Sequence, residues 1–131
     1  MREKQNRKTI LVVEDNKDEL MIYTTLFSFR GYSILAAANY DDALSIATAQ
    51  QPDLAIIDIN LNDPQDRDGC DLVCALREQD ATRDMPVIAH TAFGDVYREG
   101  LERAGCAAIV HKPSSPAFLI EEIERLIGPG L

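Results

Sequence analysis

The feature that most constrains the fold is a short, unbroken apolar segment that ends in an acid. Residues 54–57 read Leu-Ala-Ile-Ile, and Asp58 follows directly. Continuous apolarity over so few residues predicts a strand buried on both faces, as in a parallel sheet covered by helices. Such a strand ends at the edge where open α/β sheets bind ligands, so Asp58 is a candidate functional residue. For Asp58 alone, a carboxylate that merely ends a strand and meets water is an equally good interpretation.

Strand signals recur five times along the chain, and each is followed by a segment with helical spacing. The predicted strands cover residues 9–13, 32–38, 53–58, 86–91 and 107–110. Residues that favour helix N-caps precede four of the helices: Asn16, Asn39, Asp68 and either Ser114 or Ser115. The spacing also predicts Val96 and Phe118 on the inner faces of the last two helices. Alternation of this kind forces parallel pairing through right-handed crossovers, so we expect an α/β fold: a three-layer, doubly wound, five-stranded parallel sheet with five helices.

Composition and charge limit the class of protein. With 131 residues, 46% hydrophobic and 27% charged, the chain is typical of one soluble globular domain. Net charge is −9 even though four of the first eight residues are basic, so the body of the domain is strongly acidic. An acidic surface repels phosphates, and we therefore expect no direct nucleic-acid binding. No segment has the length of a membrane span or the h-region of a signal peptide, which predicts a cytoplasmic protein without a membrane partner.

The pattern of strands and helices predicts one domain at residues 8–128, with a flexible basic N-terminus at residues 1–7 and a short tail at residues 129–131. Cys70, Cys74 and Cys106 are odd in number and lack the spacing of a disulfide framework. We expect reduced cysteines that serve mainly in packing, and no metal site built on them.

Polar residues stand at the ends of four predicted strands. Glu14 and Asp15 follow the first strand, Asp58 the third, Thr91 ends the fourth and Lys112 follows the fifth. A parallel sheet brings these ends to one edge, where three carboxylates repel each other unless some are protonated or a divalent cation neutralises them. An oxygen-only cluster suits Mg²⁺, and a nearby lysine and hydroxyl would complete a site for a phosphoryl group. Each residue alone has an ordinary structural explanation, but together they predict phosphoryl transfer to a carboxylate.

At this point the sequence resembles the receiver domain of two-component response regulators, over about residues 8–127. The matching segments are Ile10-Leu11-Val12-Val13-Glu14-Asp15-Asn16, Asp53-Leu54-Ala55-Ile56-Ile57-Asp58, Asp68-Gly69, Pro86-Val87-Ile88-Ala89-His90-Thr91-Ala92, Gly105 and Lys112-Pro113. The resemblance implies the flavodoxin-like strand order 2-1-3-4-5 and a phosphorylation-activated signalling switch.

The resemblance also implies a role for each site residue. Asp58 would accept the phosphoryl group from a phosphohistidine on a sensor histidine kinase or a histidine phosphotransferase. Asp15, Asp58 and the main-chain carbonyl of Asn60 would bind Mg²⁺, with Glu14 acting mostly through water. Lys112 would pair with a phosphoryl oxygen.

Thr91 would move to hydrogen-bond another phosphoryl oxygen and so repack the surface around the fourth helix and fifth strand. Ile109 stands where the family usually has Tyr or Phe, whose ring turns inward as Thr91 moves. Phe93 lies where the family modulates water access, and its bulk should slow hydrolysis of the acyl phosphate. The loop from Asp58 to Asp68 is about three residues longer than is usual in the family. Residues 62–67 either reshape access to the site, contact a partner, or are a neutral insertion.

We expect a stand-alone receiver that signals by binding an unknown downstream protein and is not a turnover enzyme beyond self-phosphorylation and slow autodephosphorylation. A phosphorylation-independent interaction module and a phosphorelay intermediate remain alternatives. A flavodoxin-like FMN protein is disfavoured because its phosphate loop would be the acidic segment 14–18. A phosphatase is disfavoured because Asn60 stands where a second acid is expected.

Overall fold

The computed structural model describes residues 7–130, and these form five strands and five helices in strict alternation. In chain order they are β1 (Thr9–Val13), α1 (Lys17–Phe29), β2 (Ser33–Ala37), α2 (Tyr40–Gln50), β3 (Leu54–Ile57), α3 (Gly69–Glu78), β4 (Val87–Thr91), α4 (Gly94–Arg103), β5 (Ala108–His111) and α5 (Pro116–Ile127). The strands make one sheet in the order β2-β1-β3-β4-β5, and every pairing is parallel. The predicted doubly wound fold and its strand order are confirmed. The predicted flexible segment 1–7 and tail residue 131 lie outside the described residues, apart from Arg7.

The register of the sheet brings the carboxyl ends of the strands together. Val13 is level with Ile57 of β3 and Ala37 of β2, while Ile57 is level with Ala89 of β4. Thr91 is level with His111 of β5. The residues that follow β1 and β3 therefore leave the sheet at the same edge, as the sequence predicts.

Two apolar cores lie on opposite faces of the sheet. One face packs against α1 and α5 and the other against α2 and α3, while Leu101 of α4 lies in a smaller cluster with Ile59 and Ala89. All four residues of β3 are buried, which explains their unbroken apolar sequence. Within residues 7–130, no helix combines the length and apolar character needed to cross a membrane.

Side-chain caps fix where four of the helices begin. Asn16, Asn39, Asp68 and Ser115 accept hydrogen bonds from backbone N–H groups in the first turns of α1, α2, α3 and α5. Asp68 also forms a reciprocal capping box with Asp71. The predicted caps are confirmed, with Ser115 as the cap of α5.

Two predicted inner positions are wrong. Phe118 is 46% exposed and Val96 is 76% exposed. The Ser115 cap begins α5 at Pro116, and the face turned to the sheet then falls on Leu119, Ile120 and Ile123. Four strands begin one residue later than predicted, and β2 and β3 also end one residue earlier, because sheet pairing covers only the middle of each apolar segment.

Candidate functional site

The polar residues at the strand ends converge as predicted. Carboxylate oxygens of Glu14, Asp15 and Asp58 lie within 4.8 Å of one another. They open onto a cavity of about 240 Å³ at the carboxyl edge of the sheet. The complete lining is Glu14, Asp15, Asn16, Glu19, Asp58, Asn60, Thr91, Ala92, Phe93 and Lys112.

Lys112 reaches this cavity from the residue after β5 and is shared by three carboxylates. Its Nζ lies 2.6 Å from Glu14, 2.8 Å from Glu19 and 3.3 Å from Asp58. Burial disfavours the charged lysine, but the hydrogen bonds to Glu14 and Glu19 and the nearby charge of Asp58 raise its pKa overall. Lys112 is therefore a fixed positive charge beside Asp58.

Glu14 is the most enclosed acid of the cluster. Its Oε1 accepts a hydrogen bond from the backbone N–H of Asn16, and its Oε2 accepts one from Lys112. Burial raises the pKa of Glu14 to about 7, helped by the charge of Asp58 and opposed by the bond to Lys112. Repulsion among the carboxylates is thus relieved in part by Lys112 and in part by the tendency of Glu14 to take up a proton.

Asp58 stands at the end of β3, in a backbone position that is tightly held. Its side chain is 12% exposed, and its Oδ1 accepts a hydrogen bond from the backbone N–H of Asn60 at 3.3 Å. A Cβ on Gly69 would lie 2.6 Å from the carbonyl oxygen of Asp58, so only glycine lets α3 approach this closely. The close approach of α3 fixes the direction in which Asp58 leaves the sheet.

Thr91, Phe93 and Ile109 occupy different layers of the site. Thr91 is fully buried, and its Oγ1 accepts a hydrogen bond from the backbone N–H of Phe93 at 3.1 Å. Phe93 is 52% exposed at the cavity mouth. Ile109 is half-buried and packs in the Leu101 cluster behind the cavity. Of the three, only Ile109 does not line the cavity.

Two polar contributors were missed at the sequence level. The sequence predicts Glu19 only as an acid that stabilises the first turn of α1, yet its carboxylate also contacts Lys112. Asn62 lies in the long loop after β3, and its carboxamide donates a hydrogen bond to Oδ2 of Asp15. Glu19 lies in the first turn of the helix that begins directly after Glu14 and Asp15, which was an available signal. Nothing in the sequence fixes the direction of Asn62.

His90 was also missed as a structural residue of this region. It is 2% exposed, its Nε2 lies 3.2 Å from Ser114 Oγ, and its ring meets the ring of Tyr23 edge-on. Burial lowers the pKa of His90 to about 4, and the charge of Lys112 adds to the effect. A neutral His90 therefore ties the chain after Lys112 to β4.

The donor set of the cavity fits a small, hard divalent cation. All three clustered groups are carboxylates, Asn60 lies at the cavity wall, and the cavity leaves room for water. Mg²⁺ prefers a few carboxylate oxygens together with water and a phosphoryl oxygen. The residues present therefore fit the predicted Mg²⁺ site.

Comparison with known proteins supports the same interpretation. Residues 10–124 match the family model described as the response regulator receiver domain. The polar-differentiation response regulator DivK of Brucella anthropi is 34% identical over 124 residues, covering 92% of this chain and 97% of that protein.

Solved structures agree in fold. A CheY-like receiver domain protein from Methanospirillum hungatei is 27% identical with a TM-score of 0.84, covering 92% of this chain and 93% of that one. The receiver domain of the Pseudomonas aeruginosa sensor histidine kinase PA1611 is 30% identical with a TM-score of 0.83, covering 93% and 98%. That structure has a magnesium ion coordinated in its active-site cleft. The chain belongs to the response regulator receiver domain family of two-component signalling.

Proposed function

We propose that this protein is a phosphorylation-activated switch in which Asp58 accepts a phosphoryl group from a phosphohistidine and the phosphorylated form binds a downstream protein. The observation that carries the proposal is the position of Asp58 in one small cavity with three further carboxylates and Lys112. The donor is a sensor histidine kinase or a histidine phosphotransferase. Because such donors draw on cytoplasmic ATP, the proposal places the protein in the cytoplasm.

The transfer is a displacement at phosphorus. A carboxylate oxygen of Asp58 forms the new P–O bond, the P–N bond of the phosphohistidine breaks, and the imidazole leaves with the bonding pair. Lys112 offsets the charge on the phosphoryl oxygens, since its ammonium group already lies 3.3 Å from Asp58. Phe93 at the cavity mouth limits the approach of water to the acyl phosphate, so we expect self-hydrolysis to be slow.

Asp15, Asp58 and the main-chain carbonyl of Asn60 are the proposed Mg²⁺ ligands, with Glu14 acting mostly through water. Bound there, the ion would neutralise the carboxylates and the transferring phosphoryl group. The direct bond between Glu14 and Lys112 supports an indirect role for Glu14, because Oε2 is already occupied.

Thr91 is the proposed sensor of the phosphoryl group. Its hydroxyl is bound to the backbone of Phe93, so a turn of that side chain toward a phosphoryl oxygen would release the start of α4. Phosphorylation thereby biases the position of α4 against β5. Ile109 of β5 packs against the cluster that contains Leu101 of α4, so a movement of α4 changes the packing around Ile109.

The exposed side of α1 is where we place the phosphohistidine donor. Met21, Ile22 and Phe29 are 68%, 57% and 82% exposed, and with Pro116 they line an apolar groove. The same helix carries Glu19 into the phosphorylation cavity. A protein that brings a histidine to Asp58 from this side covers that apolar surface as it docks.

Incubation with acetyl phosphate and Mg²⁺, followed by intact mass measurement, tests the proposal. Wild type should gain the mass of one phosphoryl group, and Asp58→Asn should gain none. An unchanged mass for the wild type, or equal labelling of Asp58→Asn, would overturn it.

A second candidate function is a phosphorylation-independent interaction module with the receiver fold. Ile109 favours it, because an aliphatic side chain packed in a core cluster cannot make the inward ring movement usual in the family. Beryllofluoride distinguishes the candidates, since it mimics the phosphoryl group on Asp58. Backbone amide shifts confined to the cavity would favour the module, and shifts that spread through α4 and β5 would favour the switch.

A further inference from the structure

We infer that Asn62, in the long loop after β3, is a positioning residue of the metal site, because its carboxamide holds the carboxylate of Asp15. The inference rests on the proposed Mg²⁺ site and adds a residue that lies outside the segments by which the sequence resembles the family. It depends on whether the loop is a fixed structure and on how it reaches Asp15.

The loop is folded around Asp63. The carboxylate of Asp63 accepts hydrogen bonds from the backbone N–H groups of Gln65 and Arg67 and from the guanidinium of Arg67, at 2.8–3.2 Å. The Asp63 side chain is only 3% exposed, and the bond to Arg67 is the main reason that its pKa falls to about 2. A buried carboxylate with this many donors closes residues 63–67 into one compact turn.

Arg67 then anchors the turn to α2. Its guanidinium lies 3.2 Å from the carboxylate of Asp41 and 4.0 Å from the centre of the Tyr40 ring. One guanidinium therefore joins Asp63 inside the loop to two residues at the start of a different helix. The longer loop is thus a structure held at its far end.

Asn62 stands at the near end of this anchored loop, outside the cavity lining, and contacts Asp15, which does line the cavity. Its Nδ2 donates to Oδ2 of Asp15, and its backbone adopts a left-handed conformation with φ of 51°. Asparagine tolerates that conformation, and glycine tolerates it without strain. The hydrogen bond restricts rotation of the Asp15 carboxylate, which is how residues behind a ligand raise metal affinity.

Mg²⁺ affinity of the unphosphorylated protein tests this role. Backbone amide shifts of ¹⁵N-labelled protein are followed by NMR as Mg²⁺ is added to wild type, Asn62→Gly and Asp66→Gly. Asn62→Gly removes the carboxamide at a left-handed position. Asp66→Gly is the matched control, because Asp66 is exposed, lies in the same loop and has φ of 59°.

We expect Asn62→Gly to bind Mg²⁺ about tenfold more weakly than wild type, the lower end of the usual loss for such partners. Asp66→Gly should stay within about twofold, since its charge is exposed and screened. Equal affinities for Asn62→Gly and wild type, or equal weakening by both variants, would overturn the inference.

A second measurement checks that the effect passes through Asp15. In an Asp15→Asn background, adding Asn62→Gly should leave the remaining Mg²⁺ affinity within about twofold, because the carboxylate that it positions is gone. A further tenfold loss there would overturn the role. Phosphorylation of wild type and Asp66→Gly by acetyl phosphate is measured separately from Mg²⁺ affinity. A failure of the Asn62 inference therefore leaves the test of the proposed function intact.

Discussion

Lys112 and Glu14 form a salt bridge in which Nζ of Lys112 lies 2.6 Å from Oε2 of Glu14. The distance from the same Nζ to Oδ2 of Asp58 is longer, at 3.3 Å. Both side chains are largely buried, with 15% and 4% of their surfaces exposed. The lysine is thus held beside the proposed phosphoacceptor before any phosphoryl group arrives. Positioning of this kind removes a reorganisation step from the transfer.

Glu19 competes for the same lysine from the outer rim, at 2.8 Å. Glu19→Gln should accelerate phosphorylation by acetyl phosphate about two- to fivefold, because it removes one partly exposed negative charge that faces an anionic donor. Asp18→Asn is the charge-matched control, since Asp18 is an exposed acid in the same helical turn. Rates are followed by intact mass, and equal rates for the two variants would rule out a specific role for Glu19.

Phe93 stands half-exposed at the mouth of the cavity. A bulky apolar ring there should impede the approach of water to the acyl phosphate. We therefore expect phosphorylated wild type to outlive phosphorylated Phe93→Glu by severalfold. Decay is measured by mass after removal of acetyl phosphate, and indistinguishable half-lives would refute this role for the ring.

Buried His90 makes stability depend on pH. Its pKa falls from an ordinary 6.5 to about 4 in the folded protein, mainly through burial. As pH falls, the His90 imidazole of the unfolded chain therefore takes up a proton before that of the folded protein does. The stability that neutral His90 contributes is complete above pH 6.5 and is lost as pH falls from 6.5 to 4. Between pH 8 and pH 5 the loss amounts to about 2 kcal/mol.

Urea unfolding of wild type and His90→Val over this range isolates the effect. Glu14, whose pKa is raised to about 7, has the opposite slope, but it is present in both proteins and cancels in their difference. The free-energy difference between the two proteins should shift by about 2 kcal/mol in favour of the variant as the solution is acidified. A difference independent of pH would mean that His90 titrates normally.

The close contact of α3 with the end of β3 predicts an asymmetric response to glycine substitution. Gly69→Ala places a Cβ 2.6 Å from the carbonyl oxygen of Asp58 and 2.7 Å from Cα of Ile59, so it should destabilise by about 1–3 kcal/mol. Gly100→Ala is the control, because Gly100 is an exposed position of α4 and a Cβ there would lie no nearer than 3.9 Å to another residue, at Cys70 Sγ. There, alanine should be neutral or stabilising by up to about 1 kcal/mol. A higher denaturant midpoint for Gly69→Ala than for Gly100→Ala would show that the backbone at the end of β3 can move to accept a Cβ.

The fold and the inner part of the site were predictable because they follow from patterns of few residues. The short apolar run of residues 54–57 favoured a doubly buried strand, and parallel pairing then brought Asp58 to the same edge as Asp15 and Lys112. The caps followed from residue type, as Asn16 and Asp68 show.

The rest depends on side-chain directions and on loop structure that no periodicity encodes. Asn62 contacts Asp15 from a loop that Arg67 anchors to α2, and the Arg67–Asp41 contact joins residues 26 apart in the sequence. Phe118 carries the same apolar signal as Leu119, and only the position of the Ser115 cap decides which of them faces the sheet. Roles tied to movement, such as those of Thr91 and Ile109, concern a second conformation.

The identity of the phosphoacceptor is best tested by mapping it chemically. After reaction with acetyl phosphate and Mg²⁺, borohydride reduces an aspartyl phosphate to homoserine, which peptide mass spectrometry locates. We predict homoserine at position 58 in the wild type, and none there when Mg²⁺ is chelated before the reaction. Homoserine at Asp15, or at no position in a protein that remains folded, would show that Asp58 is not the acceptor.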